Sequence, residues 1–199
     1  MWPWEHAVIG YLAYSLFCHA VYRDSPGAAG TLVVVFASVL PDLIDKPLAW
    51  EYGVFETGYA LGHSIFFAVP LAIAVGWLAR VVGRPRLGIA FGLGYLLHLP
   101  ADVVPIYLTR GELPIERILW PVRPAASGGH RHDFLGRATE MILEYWQGIA
   151  AGELSTYEWG VLGLSAFVLA LWLYDGAPVL RELLAAPWRL VGLLGRLAS

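Results

Sequence analysis

Residues 87–108 read LGIAFGLGYLLHLPADVVPIYL. As a helix this run is about 33 Å long, enough to cross a hydrocarbon core of about 30 Å. Yet it contains His98 and Asp102, spaced four apart and therefore on one helix face. Ionisable groups inside an apolar span are costly unless they pair, line a cavity or bind an ion. This stretch therefore predicts both a membrane helix and a functional residue pair.

The rest of the chain supports the membrane reading. It has 199 residues, 58% hydrophobic and 15% charged, with a mean hydropathy of +0.60. A soluble domain carries about a quarter charged residues, so there is too little polar surface here for a water-soluble globule. The net charge of −3 offers no signature of nucleic-acid binding. Cys18 is the single cysteine, which excludes an intrachain disulfide and a CxxC metal site, and its apolar surroundings suggest an inert buried thiol. The N-terminal Met1-Trp2-Pro3-Trp4-Glu5-His6 has neither the positive start nor the small-residue cleavage site of a signal peptide.

Five apolar runs, roughly 6–22, 28–41, 61–82, 87–108 and 158–174, predict an all-α polytopic membrane bundle forming a single domain over 1–199. The second run is expected to be the shortest, about 21 Å from Gly27 to a stop at Pro41-Asp42. The segment 109–157 is polar, with an amphipathic helix over 137–149. The tail, about 178–198, sets Arg181, Arg189 and Arg196 among Leu, Val and Trp and predicts an interfacial helix. Arg80, Arg84 and Arg86 flank the tight turn between the third and fourth runs and place it on the cytoplasmic side. The N-terminus, the 42–60 loop and the 109–157 segment then face outward.

On that topology the acids and imidazoles share a depth. At 1.5 Å per residue, His6 lies about 26 Å from Arg23, Asp42 about 22 Å from Gly27 and His63 about 26 Å from Arg80. His98 and Asp102 lie about 18 and 24 Å from Arg86. Imidazole and carboxylate without thiolate suit zinc or manganese, as one ion or two. His63, His98 and Asp102 are the first-choice ligands, and Asp42, Asp45 and His6 would complete or bridge the site. Asp45 is also a candidate general base, and Ser64 would orient substrate or a ligand. Arg123 and Arg131 are candidates for gripping an anionic headgroup. His19 sits toward the arginine side and reads as core. His130, Arg131, His132 and Asp133 read as a solvated loop.

The pattern of His6, Pro41-Asp42-x-x-Asp45, Gly62-His63-Ser64 and Gly94-Tyr95-x-x-His98-x-x-x-Asp102 resembles the YdjM-like membrane-bound metal-dependent hydrolases. The likeness covers roughly residues 4–122, with Trp120-Pro121 as its last element. The order of His and Asp is also similar, more distantly, to the zinc-dependent phospholipases C. The resemblance implies metal-dependent hydrolysis at the cell membrane. The depth of the site favours a lipid or lipid-linked ester or phosphodiester as substrate, reached from the extracytoplasmic side, with membrane lipids as the partners and no nucleic acid. The alternative is a metal-ion or proton transporter using the same residues as a path. Below His98 the fourth run carries no ionisable group, which favours the enzyme.

Overall fold

A computed structural model describes residues 2–126 and 133–184. Its described residues form helices and no strands: α1 (Pro3–Phe17), α2 (Ala28–Trp50), α3 (Ile65–Val81), α4 (Pro85–Arg110), α5 (Phe134–Ala151) and α6 (Thr156–Tyr174). A π-helical turn, Cys18–Tyr22, extends α1, and a short 3-10 turn, Ile115–Arg117, follows α4. Three helices, α2, α4 and α6, are long and apolar enough to cross a membrane, while α3 is apolar but shorter.

The second helix departs from the sequence expectation. It does not stop at Pro41 but runs for 23 residues, through Pro41 and Pro47, and α3 is shorter at 17. Proline removes a helix donor, but a helix buried against neighbours tolerates the loss because other groups re-satisfy the backbone. Here Pro41 is buried, and a hydrogen bond from His98 Nδ1 to the Ser38 carbonyl at 2.7 Å braces this part of α2 against α4. Asp42 and Asp45 consequently project from a continuous helix rather than from a loop.

α2 and α4 form the central pair, with α1 and α3 packed on either side. Their approach is close because small residues line it: a Cβ on Gly94 would stand 2.5 Å from the Val34 carbonyl oxygen. Tyr14, Tyr95, Val34 and Phe91 fill the space between the helices. Arg86 pairs with Asp24 at 3.2 Å and lies over the Tyr22 ring, so the α1–α2 connection and the start of α4 share one end of the bundle. The N-terminus of α1, the C-terminal parts of α2 and α4 and the loop before α3 meet at the other end.

α5 lies across that second end. Its apolar stripe of Phe134, Ala138, Met141, Ile142 and Tyr145 follows helical spacing. Phe134 packs on Trp50, and Tyr145 packs on Trp2 and Trp4. Asp133, read from sequence as loop, caps α5 by accepting from the Gly136 amide at 2.7 Å. Among the described helices α6 rests mainly on α1, and it exposes most of its apolar surface. Leu180 begins a helical turn that continues to 184; the remainder of the expected tail helix lies outside the described residues.

Candidate metal centre

Asp42 from α2, His63 from the loop before α3, and His98 and Asp102 from α4 converge at the α5-covered end of the bundle. All four are buried, and one ligand atom from each lies within 4.8 Å of the others. His63 Nε2 stands 3.3 Å from Asp42 Oδ1 and 3.4 Å from Asp102 Oδ2. His98 Nε2 stands 3.8 and 3.4 Å from the same two oxygens. The i,i+4 spacing of His98 and Asp102, and the place of His63 one residue before the Ser64 N-cap of α3, produce this meeting.

The tautomers are dictated by what lies behind each ring. Asp45 accepts from His63 Nδ1 at 2.8 Å, and the Ser38 carbonyl accepts from His98 Nδ1 at 2.7 Å. A carboxylate and a carbonyl can only accept, so each imidazole places its N–H on Nδ1. The two Nε2 atoms stand 3.0 Å apart. With both rings neutral, each carries a lone pair there, and a proton or a metal cation between them relieves their repulsion. Asp42 adds to the unmet demand: neither of its buried oxygens has a well-aligned hydrogen-bond donor, although Lys46 Nζ approaches Oδ2 to 2.6 Å as an ion pair. A donor set of two imidazoles and two carboxylates, each imidazole braced through its far nitrogen, suits a divalent ion.

His6 stands beside this group. Its ring stacks on His98 with centroids 3.7 Å apart, and its Nε2 is 3.3 Å from Asp102 Oδ1. Neither of its nitrogens has a hydrogen-bond partner. Asp102 therefore turns one oxygen to His63 and His98 and the other to His6.

Asp45, expected as a ligand and as a base, holds a different place. It is fully buried and accepts from the amides of Ala60, Gly62 and His63 as well as from His63 Nδ1. Three of these bonds fall on Oδ2 and one on Oδ1, so Asp45 stands behind His63, outside the four-residue group. Ser64, expected to touch substrate, donates from Oγ to the Trp120 carbonyl at 2.5 Å, while the Ile65 amide donates to the Ile118 carbonyl. These bonds tie the segment after α4, with its cis Trp120-Pro121 bond, to the start of α3. Arg123 is exposed and lines none of the three cavities described below. Arg131, His130 and His132 lie outside the described residues.

Other residues line the approach. A cavity of about 410 Å³ reaches Asp102 between Trp2, Ile106, Arg110 and Tyr157. A second, of about 480 Å³, is lined by Lys46, Tyr59, Arg110 and Arg117. Arg117 lies over the Tyr59 ring and donates to its hydroxyl at 3.1 Å. Burial, with Asp102 nearby, pushes the Tyr59 phenol up, so it stays neutral beside the His63 ring. Lys46 was open to sequence reasoning as the cation one helical turn after Asp42. Tyr59 and Arg117 were not, because the loop fold that joins them has no periodic signal.

A membrane-type helical bundle with a buried, metal-competent His/Asp centre is the class this architecture defines. The family model described as YdjM inner membrane protein matches residues 1–180, and the chain belongs to that family. No curated protein and no solved structure matches the chain.

Proposed function

We propose that this chain is a multi-pass membrane hydrolase that uses a divalent metal, zinc or manganese, against a lipid or lipid-linked ester or phosphodiester. The observation that carries the reading is the convergence of one ligand atom from each of two buried imidazoles and two buried aspartates within 4.8 Å. In this reading His63, His98, Asp42 and Asp102 hold the ion. His6, on the far oxygen of Asp102, completes the site or holds a second ion. Asp45 acts as a positioning residue for His63. Five segments, α1 with its π-turn, α2, α3, α4 and α6, are inserted, and the centre faces the extracytoplasmic side as the arginine turn suggests.

A bound divalent ion would polarise a carbonyl or phosphoryl oxygen and make a water nucleophilic at neutral pH. The chain's own groups orient and exclude. Asp45 and the Ser38 carbonyl fix the two imidazoles, and α5 shields the site from bulk water. Tyr59, through its retained proton, and Arg117 present donors at the chamber wall. A transporter would need polar groups continuing below the centre. There, Gly94 abuts the α2 backbone, and Tyr95 donates to the Gly62 carbonyl, which favours a closed floor.

The test is purified protein in liposomes with added zinc or manganese, offered phospholipids and lipid-linked esters. Chelator-sensitive cleavage is the expected result. Metal flux into the liposomes without cleavage of any substrate would overturn the reading.

A further inference from the structure

Three spaces surround the centre, and their chemistry differs. The first cavity reaches Asp102. The second carries charges of both signs: Lys46, Arg110 and Arg117 with Glu56, Glu112 and Glu116. The third is an apolar crevice of about 150 Å³ between the α1 N-terminus, α2 and α5, walled by Trp4, Leu43, Phe134 and Ile142, with Asp42 at its edge. Lys46, Trp50 and Met141 line both the second and the third, so the crevice meets the charged chamber at the Asp42–Lys46 pair. Leu43 is half exposed on the outer face of α2, so the crevice opens to the side, where lipid chains lie.

Lys46 is paired with Asp42 at 2.6 Å, but Arg110, Arg117, Glu112 and Glu116 form no ion pair with one another. Arg117 bonds the Tyr59 hydroxyl and the Asp102 carbonyl rather than a carboxylate. Among the described residues, neither Arg110 nor Glu112 nor Glu116 is in an ion pair. A chamber lined by charges of both signs, joined to an apolar crevice at Lys46, is complementary to a headgroup that carries both a phosphate and an ammonium. The volume is that of a small-ligand pocket.

We infer that the occupant is a zwitterionic phospholipid, its chain in the Trp4–Leu43–Ile142 crevice and its amine-bearing phosphate headgroup in the Lys46–Arg117–Glu116 chamber. This rests on the proposed hydrolase reading and names the substrate class for it. The phosphate lies against Lys46 and Arg117, the ammonium against Glu112 and Glu116, and the junction of head and chain at Asp42. The α5 stripe forms the roof over the chain.

The experiment uses full-length, metal-stripped protein in neutral maltoside micelles and a phosphatidylethanolamine carrying a diazirine on one acyl chain. Photolabelling should map to peptides containing Leu43, Ala138 or Ile142, and unlabelled phosphatidylethanolamine should compete. Phosphatidylglycerol, diacylglycerol and inorganic phosphate should each compete at least ~10-fold less well, a difference of about 1.4 kcal/mol. Ala138→Trp should block the crevice and abolish labelling, with unfolding temperature reporting that the protein remains folded. The double variant Glu112→Gln/Glu116→Gln, on exposed or half-exposed positions, should erase the preference over phosphatidylglycerol while labelling persists. Labelling spread over the outer faces of α3 and α6, equal competition by phosphatidylglycerol or by inorganic phosphate, or a preference unchanged in the double variant would each overturn the proposal. Because no metal is present, failure here leaves the hydrolase reading standing. Labelling as expected, with no metal-dependent cleavage, would sink the hydrolase reading instead.

Discussion

Two buried polar clusters sit at opposite ends of α1, and they are built on opposite principles. At the arginine end, Asp175 accepts from Tyr11 and Ser15 at 2.7 Å each on one oxygen, and His19 Nε2 lies 2.7 Å from the other. One acceptor group is surrounded by donors, and the cluster is complete in itself. At the other end, two imidazole Nε2 atoms and two carboxylates converge with both Nδ1–H groups turned away, and Lys46 pairs with Asp42 at the rim. A satisfied cluster fastens helices, here α6 to α1, with Glu5 and Tyr157 making a second fastening at 3.0 Å. One whose imidazole nitrogens and carboxylates converge on a common point can hold a cation there. Burial alone does not distinguish the two; the direction in which the protons point does.

That contrast can be broken most directly at the imidazoles. His63→Ala or His98→Ala should lower affinity for zinc by more than about 100-fold, beyond the range expected for residues behind the ligands, as read by calorimetric titration. Asp45→Asn should cost less, about 10–100-fold, because it disturbs the orientation and tautomer of His63 without removing a ligand. An unchanged affinity in that variant would show that His63 needs no brace. Asp175→Ala should leave zinc affinity unaltered while lowering the stability of the folded protein by about 1–3 kcal/mol, the cost of stranding buried donors, measured by denaturation in detergent. Arg123→Ala should change neither binding nor turnover, and its effect on stability should stay within about 0.5 kcal/mol.

Much of the metal-competent cluster was legible in the sequence because helical geometry is regular. The i,i+4 spacing of His98 and Asp102, and a common distance from the arginine end, are enough to bring α2, the loop before α3 and α4 to one level. The apolar stripe of α5 was legible for the same reason. What was not legible depends on backbone hydrogen bonds that no side-chain pattern records. Asp45 looks like a second ligand by its place in Pro-Asp-x-x-Asp, but the 60–63 loop folds three amides onto it. Pro41 looks like a stop, but burial against α4 carries the helix onward. Asp175 looks like a surface charge after α6, because its donors stand about 160 positions away in the chain.

The measurement that tests the central claim most directly is metal content per chain after purification and after zinc loading, by elemental analysis, for the natural sequence beside His98→Ala and Asp175→Ala. The account predicts at least about one tightly held ion in the natural sequence and in Asp175→Ala, none in His98→Ala, and a fall in unfolding temperature on chelation only in the two that hold it. Equal metal in all three, or none in any, would contradict it.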